Sequence, residues 1–231
     1  MVIDIMWPWE LKDLTGRAAI IIDLWAATSN IALLLGKGVK NLIVVNKENA
    51  IRAKEIFKNA IVVGEHYQLP ANFFDYSNYP SDVDKIKTAE SILYMTTNGS
   101  YVIEQAISKN AKCVLTGSLL NFSAIGQYVS NSRQEQVVII PAGNRVRKNG
   151  EAEEDILCAE LFSKALNNKK IDWNEQINLL KDIILRDYGS EEKFKPKEDF
   201  TVTFQLNKYN VVPICHKKKW IEIKDLDERL A

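Results

Sequence analysis

The sequence predicts an α/β protein with a largely parallel sheet covered by helices on both faces, and three observations carry that reading. Apolar runs of strand length alternate with amphipathic segments, the pattern of successive βαβ units. Several runs hold consecutive β-branched residues with no polar alternation, as strands buried on both faces do. A chain of 231 residues is also long enough to build such a core.

In chain order, the first strand is read at Ala18–Asp23 (AAIIID), an unbroken apolar run that ends on a carboxylate. A helix at Ser29–Leu35 follows, then a strand at Asn41–Val45 (NLIVV) and an amphipathic helix at Lys47–Lys58. Further strands are expected at Ala60–Val63, Ser91–Met95, Lys112–Thr116 and Gln136–Pro141, each a short run rich in Val, Ile or Leu. Helices are expected at Gly99–Lys109, Leu120–Ser130 and Glu153–Leu166; in the last, Ile156, Leu157, Cys158, Leu161, Phe162 and Ala165 share one broad face. Beyond residue 170 the texture changes to a helix at Trp173–Asp187, a charged stretch EEKFKPKEDF, and late strand candidates in NVVPIC and WIEI. This tail reads as an appendage or as the edge of the sheet. No Pro-, Gly- or Ser-rich linker divides the chain, so residues 1–231 read as one domain, with 170–231 as a candidate small subdomain.

Composition narrows the function. Thirty Lys plus Arg balance thirty Asp plus Glu, so there is no sequence-independent attraction to nucleic acid or to an anionic membrane. His66 and His216 are the two histidines, which excludes a three-histidine zinc site. Cys113, Cys158 and Cys215 form no Cys-x-x-Cys and are odd in number, which points away from a disulfide framework and toward a reducing cytoplasm, with all three buried. Asp4, Glu10, Lys12, Asp13 and Arg17 interrupt the first thirty residues, leaving neither a signal-peptide core nor a membrane span there.

Open α/β sheets bind ligands beyond the carboxyl ends of their strands, and here those positions are small and polar. They are Asp23, Gly64-Glu65, Thr96-Thr97-Asn98-Gly99, Gly117-Ser118 and Ala142-Gly143-Asn144. Thr96–Ser100 follows a strand and opens a helix, so its N–H groups and hydroxyls suit an anion such as phosphate, although an ordinary capped turn has the same composition. Asp23, Glu65, Asp75, Glu154 and Asp155 form a carboxylate set with almost no histidine, which favours Mg²⁺ over Zn²⁺. Glu154 and Asp155 open a helix, where negative charge is favoured by the macrodipole alone. Of the cations, Arg145 and Arg147 after Gly143 have the forked donors to clamp an anion, although a loop of exposed cations is the commoner explanation. His66 beside Glu65 reads as a surface residue and His216-Lys217-Lys218-Lys219 as a solvated hairpin turn.

Taken in order, the segments IIIDLWAATSNIALLLGKGVKNLIVV, VVGEHYQLPANFFDYSNYP, LYMTTNGSYVIEQA, LTGSLLNFSAIG, IIPAGNRVRKNGEAEEDILCAELF and NVVPIC resemble the 2-phosphosulfolactate phosphatase family over nearly the whole chain. Asp23 and Thr28 match the family's Asp-Val-Leu-Arg-Ala-Thr segment, and Gly64 with Glu65 its Gly-Glu-Arg. Asp75, Asn78 and Pro80 match its Gly-Phe-Asp-Leu-Gly-Asn-Ser-Pro, and Thr96–Gly99 its Thr-Thr-Asn-Gly. Ser118 and Asn121 match Ser-Leu-x-Asn, and Ala142, Gly143, Glu154 and Asp155 the later Ala-Gly and Glu-Asp. The resemblance implies a three-layer α/β/α fold and a cytoplasmic Mg²⁺-dependent phosphatase of the coenzyme M biosynthesis type, acting on a small phosphorylated organic acid. It further implies catalytic Asp23, Asp75 and Glu65. Substrate contacts would come from Thr28, Thr96, Thr97, Asn98, Gly99, Ser118, Asn121 and Gly143, and metal ligands from Asp23, Glu65, Asp75 and Asp155. Homo-oligomerisation is left open.

The departures fall on charge. Ala26, His66 and Tyr101 stand where the family carries Arg, the side chain best suited to bidentate anion contacts. Tyr76, Ser77 and Tyr79 stand where the family segment carries Leu, Gly and Ser around Asp75. A catalytically impaired homologue that binds a less charged ligand or a protein partner is therefore the alternative reading.

Overall fold

The computed structural model describes residues 1–64, 69–87, 89–132, 134–145, 150–217 and 221–225. Strand β1 (Val2–Ile5) precedes β2 (Ala18–Ile22), which leads into helix α1 (Ala27–Gly36). Then come β3 (Asn41–Val45), α2 (Lys47–Ile56), β4 (Ile61–Gly64), β5 (Tyr76–Ser77) and the one-turn α3 (Pro80–Val83). Next are β6 (Ser91–Met95), α4 (Gly99–Ser108), β7 (Cys113–Thr116), α5 (Phe122–Asn131) and β8 (Gln136–Pro141). Helices α6 (Glu153–Leu166), α7 (Trp173–Tyr188) and α8 (Pro196–Thr203) precede the hairpin strands β9 (Pro213–Lys217) and β10 (Ile221–Asp225).

All ten strands join one mixed sheet in the order β1-β8-β2-β7-β9-β10-β3-β6-β4-β5. The four strands from β1 to β7 are parallel to one another, as are the four from β3 to β5. Between these blocks sits the C-terminal hairpin, with β9 antiparallel to β7 and β10 antiparallel to β3. The tail is thus neither an appendage nor an edge. Each parallel block presents an open row of N–H and C=O groups, and an apolar hairpin can pair both rows at once. Ile214, Cys215, Ile221 and Ile223 are buried in doing so.

The helices lie on both faces, giving the three-layer α/β/α arrangement. One face of the sheet, with Ala19, Ile21, Leu42, Val44, Ile92, Tyr94, Val138 and Ile140, packs on α1 and α4. Every residue of α1 from Ala27 to Leu35 is buried, because the helix is apolar nearly all round and is enclosed rather than laid on a surface. On the opposite face, Ala18, Ile20, Ile22, Val137 and Ile139 meet Phe122, Cys158, Phe162, Leu180 and Ile184 of α5, α6 and α7. Ile43, Val45, Val62 and Leu93 meet Ala50 and Ala53 of α2. At about 1.5–3 kcal/mol for each large side chain buried, these contacts outweigh any propensity term in setting the fold.

Strands β1 and β5 and helices α3 and α8 are absent from the sequence reading, β1 and α8 for clear local reasons. Strand β1 is short and only half-buried at the sheet edge, so it leaves no continuous apolar run. Helix α8 begins inside the charged stretch and runs three residues beyond it. Its start is marked by Pro196 in the first turn, with Glu198 and Asp199 favoured at the positive end of the helix, and Asp199 accepts from the main-chain N–H of Lys195 at 2.8 Å. Cys158 and Cys215 are buried, Cys113 is only partly covered, and all three are free thiols. His216 and Lys217 are exposed residues of β9. Lys218 and Lys219 lie outside the described residues.

Candidate functional site

The site forms where β2 and β6 end. These strands stand five steps apart in the sheet, roughly 24 Å on a flat sheet at about 4.8 Å per strand. Three antiparallel pairings lie between them, so the block that holds β6 runs opposite to the block that holds β2. The closeness is read at Gly99, the first residue of α4, where a β-carbon would lie 2.9 Å from Asp23 Oδ2, 2.9 Å from Ala27 Cβ and 3.3 Å from Thr96 Oγ1. Only a residue without a side chain permits this approach.

Asp23 is buried in the turn between β2 and α1. Its main chain is locked by Thr28, whose hydroxyl donates to Asp23 O at 2.9 Å and whose N–H donates to the same oxygen at 2.8 Å. Ala26 occupies the cap position of α1 and has no group to satisfy the helix N-terminus, so Asp23 Oδ1 accepts from Ala27 N at 3.3 Å. Asp23 thus caps α1 through one oxygen, and its second oxygen faces the N-terminus of α4. In the facing turn, Thr96 Oγ1 accepts from Gly99 N at 3.1 Å and Ser100 Oγ donates to Thr96 O at 2.5 Å. The positive ends of α1 and α4 thus flank one carboxylate oxygen.

Asp155, from the first turn of α6, ties this centre to β8. Its Oδ1 accepts from Leu24 N at 2.7 Å and its Oδ2 from Gly143 N at 3.1 Å. Burial, and then the charges of Asp23 and Glu154, push its carboxyl well above the usual aspartate range, against the downward pull of those two main-chain donors. Gly143 takes a φ of +71° beneath the Gly150 carbonyl, where a β-carbon would collide. The neighbouring Glu154 is buried, and its Oε1 accepts from the Tyr188 hydroxyl at 2.6 Å. Tyr188 was invisible as a site neighbour in the sequence, since it comes from the end of α7, far along the chain.

Asp23, Thr96, Asn98, Gly99, Gly143 and Asp155 are brought together, and Thr97 is half-buried in the same turn. Other expected contacts are engaged elsewhere. The Thr28 hydroxyl is fully buried on the main chain of Asp23. Ser118 and Asn121 are fully buried: Asn121 Oδ1 accepts from Ser118 N and Oγ, and its Nδ2 donates to Thr116 O and Val211 O. They fix the turn after β7 and the approach to β9. Asp75 is exposed on the edge strand pair, where its Oδ2 accepts from Val62 N at 2.8 Å. The member of that segment that reaches α1 is Asn78, whose carbonyl accepts from Asn30 Nδ2 at 2.6 Å. Glu65, His66 and Arg147 lie outside the described residues. Among the described residues, no three His, Cys, Asp or Glu side chains gather as a metal cluster.

These features define a three-layer α/β/α protein with a buried carboxylate pair and two helix N-termini at the carboxyl ends of its parallel strands. Residues 7–218 match the 2-phosphosulpholactate phosphatase family, and the chain belongs to it. It is 28% identical over 222 residues to a probable 2-phosphosulfolactate phosphatase of Clostridium perfringens, covering 93% of this chain and 87% of the relative. A protein of the same description from Thermoplasma volcanium is 29% identical over 165 residues, 71% of this chain and 74% of its own. One from Carboxydothermus hydrogenoformans is 25% identical over 229 residues, 94% of each chain.

Proposed function

We propose that this chain is a Mg²⁺-dependent phosphatase acting on a small phosphorylated organic acid of the 2-phosphosulfolactate type. The observation that carries the reading is Asp23 Oδ2 set against Gly99 and Thr96, at the meeting of two helix N-termini. Hard oxygen donors suit Mg²⁺, which commonly takes one or two carboxylates and completes its shell with water and substrate phosphate. The like charges of Asp23 and Asp155 are what a dication would relieve. Asp23 and Asp155 would hold it, joined by Glu65, whose predecessor Gly64 packs against Met95 at the end of β6. When bound, Mg²⁺ neutralises charge on the phosphoryl oxygens. Asp75 is assigned to bracing the sheet edge, next to the segment that meets α1.

In this mechanism the N–H groups of the Thr96–Gly99 turn and the N-terminus of α4 hold the phosphate, and Asp23 faces phosphorus as nucleophile or as base for a water. Asp155 acts by holding Leu24 and Gly143, and so fixes the turn that carries Asp23. The reading of residues 1–231 as one working unit is supported by the hairpin that joins the two parallel blocks. Free cysteines fit a reducing cytoplasm. Asp23→Asn should abolish Mg²⁺-dependent phosphate release with the circular dichroism spectrum and melting temperature retained; full activity in that variant overturns the assignment.

A second reading, a homologue retired from catalysis, draws on Ala26 and Tyr101 at positions where the family carries cations. It predicts no rise in melting temperature on Mg²⁺ addition, whereas a metal-dependent enzyme gains stability by mass action.

A further inference from the structure

Tyr101 is the third residue of α4, half-buried against the core on one side. Across its ring lies Arg145, with the guanidinium carbon 4.0 Å from the ring centroid. The Arg145 main chain is fixed as well, its N–H donating to Asn98 Oδ1 at 3.2 Å. Asn98 immediately precedes Gly99, so the cation is anchored one residue from the position that touches Asp23. Arg145 is exposed and makes no ion pair among the described residues. The nearest acid along the same helix, Glu104, is engaged by Lys217 at 2.7 Å.

A guanidinium held over an aromatic ring keeps N–H donors available on its sides away from the ring, in the fork that matches a planar or tetrahedral oxyanion. The aromatic ring below restricts the rotation that an exposed Arg otherwise has, so less entropy is lost on binding. We infer that Arg145, shelved on Tyr101, is a specificity-determining residue that selects phosphate esters bearing a second oxyanion, a carboxylate or sulfonate, beside the phosphate. The inference rests on the proposed phosphatase reading and adds to it the group that reads the rest of the substrate. Tyr101 then restores a cation to this rim indirectly, by holding the Arg of another loop.

The test compares two probes of equal carbon count, 3-phosphoglycerate and glycerol 3-phosphate, the second lacking a carboxylate. The readout is the ratio of their kcat/KM values with Mg²⁺. The wild-type protein should favour 3-phosphoglycerate, and Arg145→Gln should lower that preference by about 10- to 100-fold, the effect of losing one charge-assisted hydrogen bond. Tyr101→Leu should lower it in part, chiefly through KM, while Tyr101→Phe retains it. An Arg145→Gln ratio equal to the wild-type ratio overturns the inference, including the case where both substrates slow equally. If the wild-type protein turns over neither probe, the phosphatase reading alone fails. Calorimetric dissociation constants for the same probes then decide: a wild-type preference for 3-phosphoglycerate that Arg145→Gln removes supports the inference, and no such preference sinks it.

Discussion

Gly99→Ala tests the geometry of the site with a single methyl group. The added carbon would lie 2.9 Å from Ala27 Cβ and 2.9 Å from Asp23 Oδ2, with Thr96 Oγ1 at 3.3 Å. An ordinary carbon–carbon contact starts near 3.5 Å, so α4 and the Asp23 turn must separate by about 0.6 Å or more. Overpacking of this kind costs about 1–3 kcal/mol. Replacing a helical glycine by alanine returns up to about 1 kcal/mol, so the net destabilisation is about 0–3 kcal/mol. For a chain of this size each kcal/mol lowers the melting temperature by about 2–4 °C, and the variant stays folded. Activity should respond far more, because misplacing a reacting group by about 1 Å can cost about 100-fold. The assay is phosphate release with Mg²⁺, measured beside thermal unfolding. Activity within about threefold of wild type would show that the juxtaposition of Asp23 with α4 does not set the reaction, since displacement by this methyl is expected to cost about 100-fold.

Asp155→Ala strands the N–H groups of Leu24 and Gly143, each at about 1–3 kcal/mol when buried, partly offset by the lost repulsion with Asp23. Urea unfolding should show a clear loss of stability, and an unchanged midpoint would refute the clamp. Burial pushes the Cys158 and Cys215 thiols up, so in the native protein iodoacetamide at pH 8 should reach the partly covered Cys113 first, with all three labelled only after denaturation. Mass mapping that finds Cys158 labelled early would contradict the packing of α6. At Asp82, burial opposes ionisation, but hydrogen bonds from Lys85 and Ser77 outweigh it and hold the carboxyl below its ordinary value of 3.8. Its folded-state value is depressed, so its contribution is present above the unfolded value near 3.8 and lost as pH falls through the folded one. Asp82→Asn should flatten the fall in stability below about pH 4, and an unchanged acid limb would remove Asp82 from the explanation.

The central strands were legible because burial on both faces turns them into apolar runs, as at Ala18–Ile22 and Gln136–Pro141. Strands β1 and β5 were not, being short and at opposite edges of the sheet. The strand character of NVVPIC and WIEI is legible but their place in the sheet is not, because strand pairing is a long-range choice that local pattern does not encode. At the site, the polar residues that follow the strands were visible as candidates, yet Thr28, Asn121 and Thr96 look alike in a sequence. Tertiary contacts separate them: Asn121 uses both ends of its amide inside the protein, while Thr96 stands beside Asp23 and Gly99.

By itself, then, the sequence determined the element types, the apolar core and the family, because periodicity, turn chemistry and ordered motifs are local properties of the chain. The tertiary structure alone decided that the last hairpin joins the two parallel blocks, that the ends of β2 and β6 meet across five strands, and that Arg145 rests on Tyr101. Those outcomes depend on the pairing of open backbone edges and on contacts between distant segments, which are set by the whole sheet and by no segment of it.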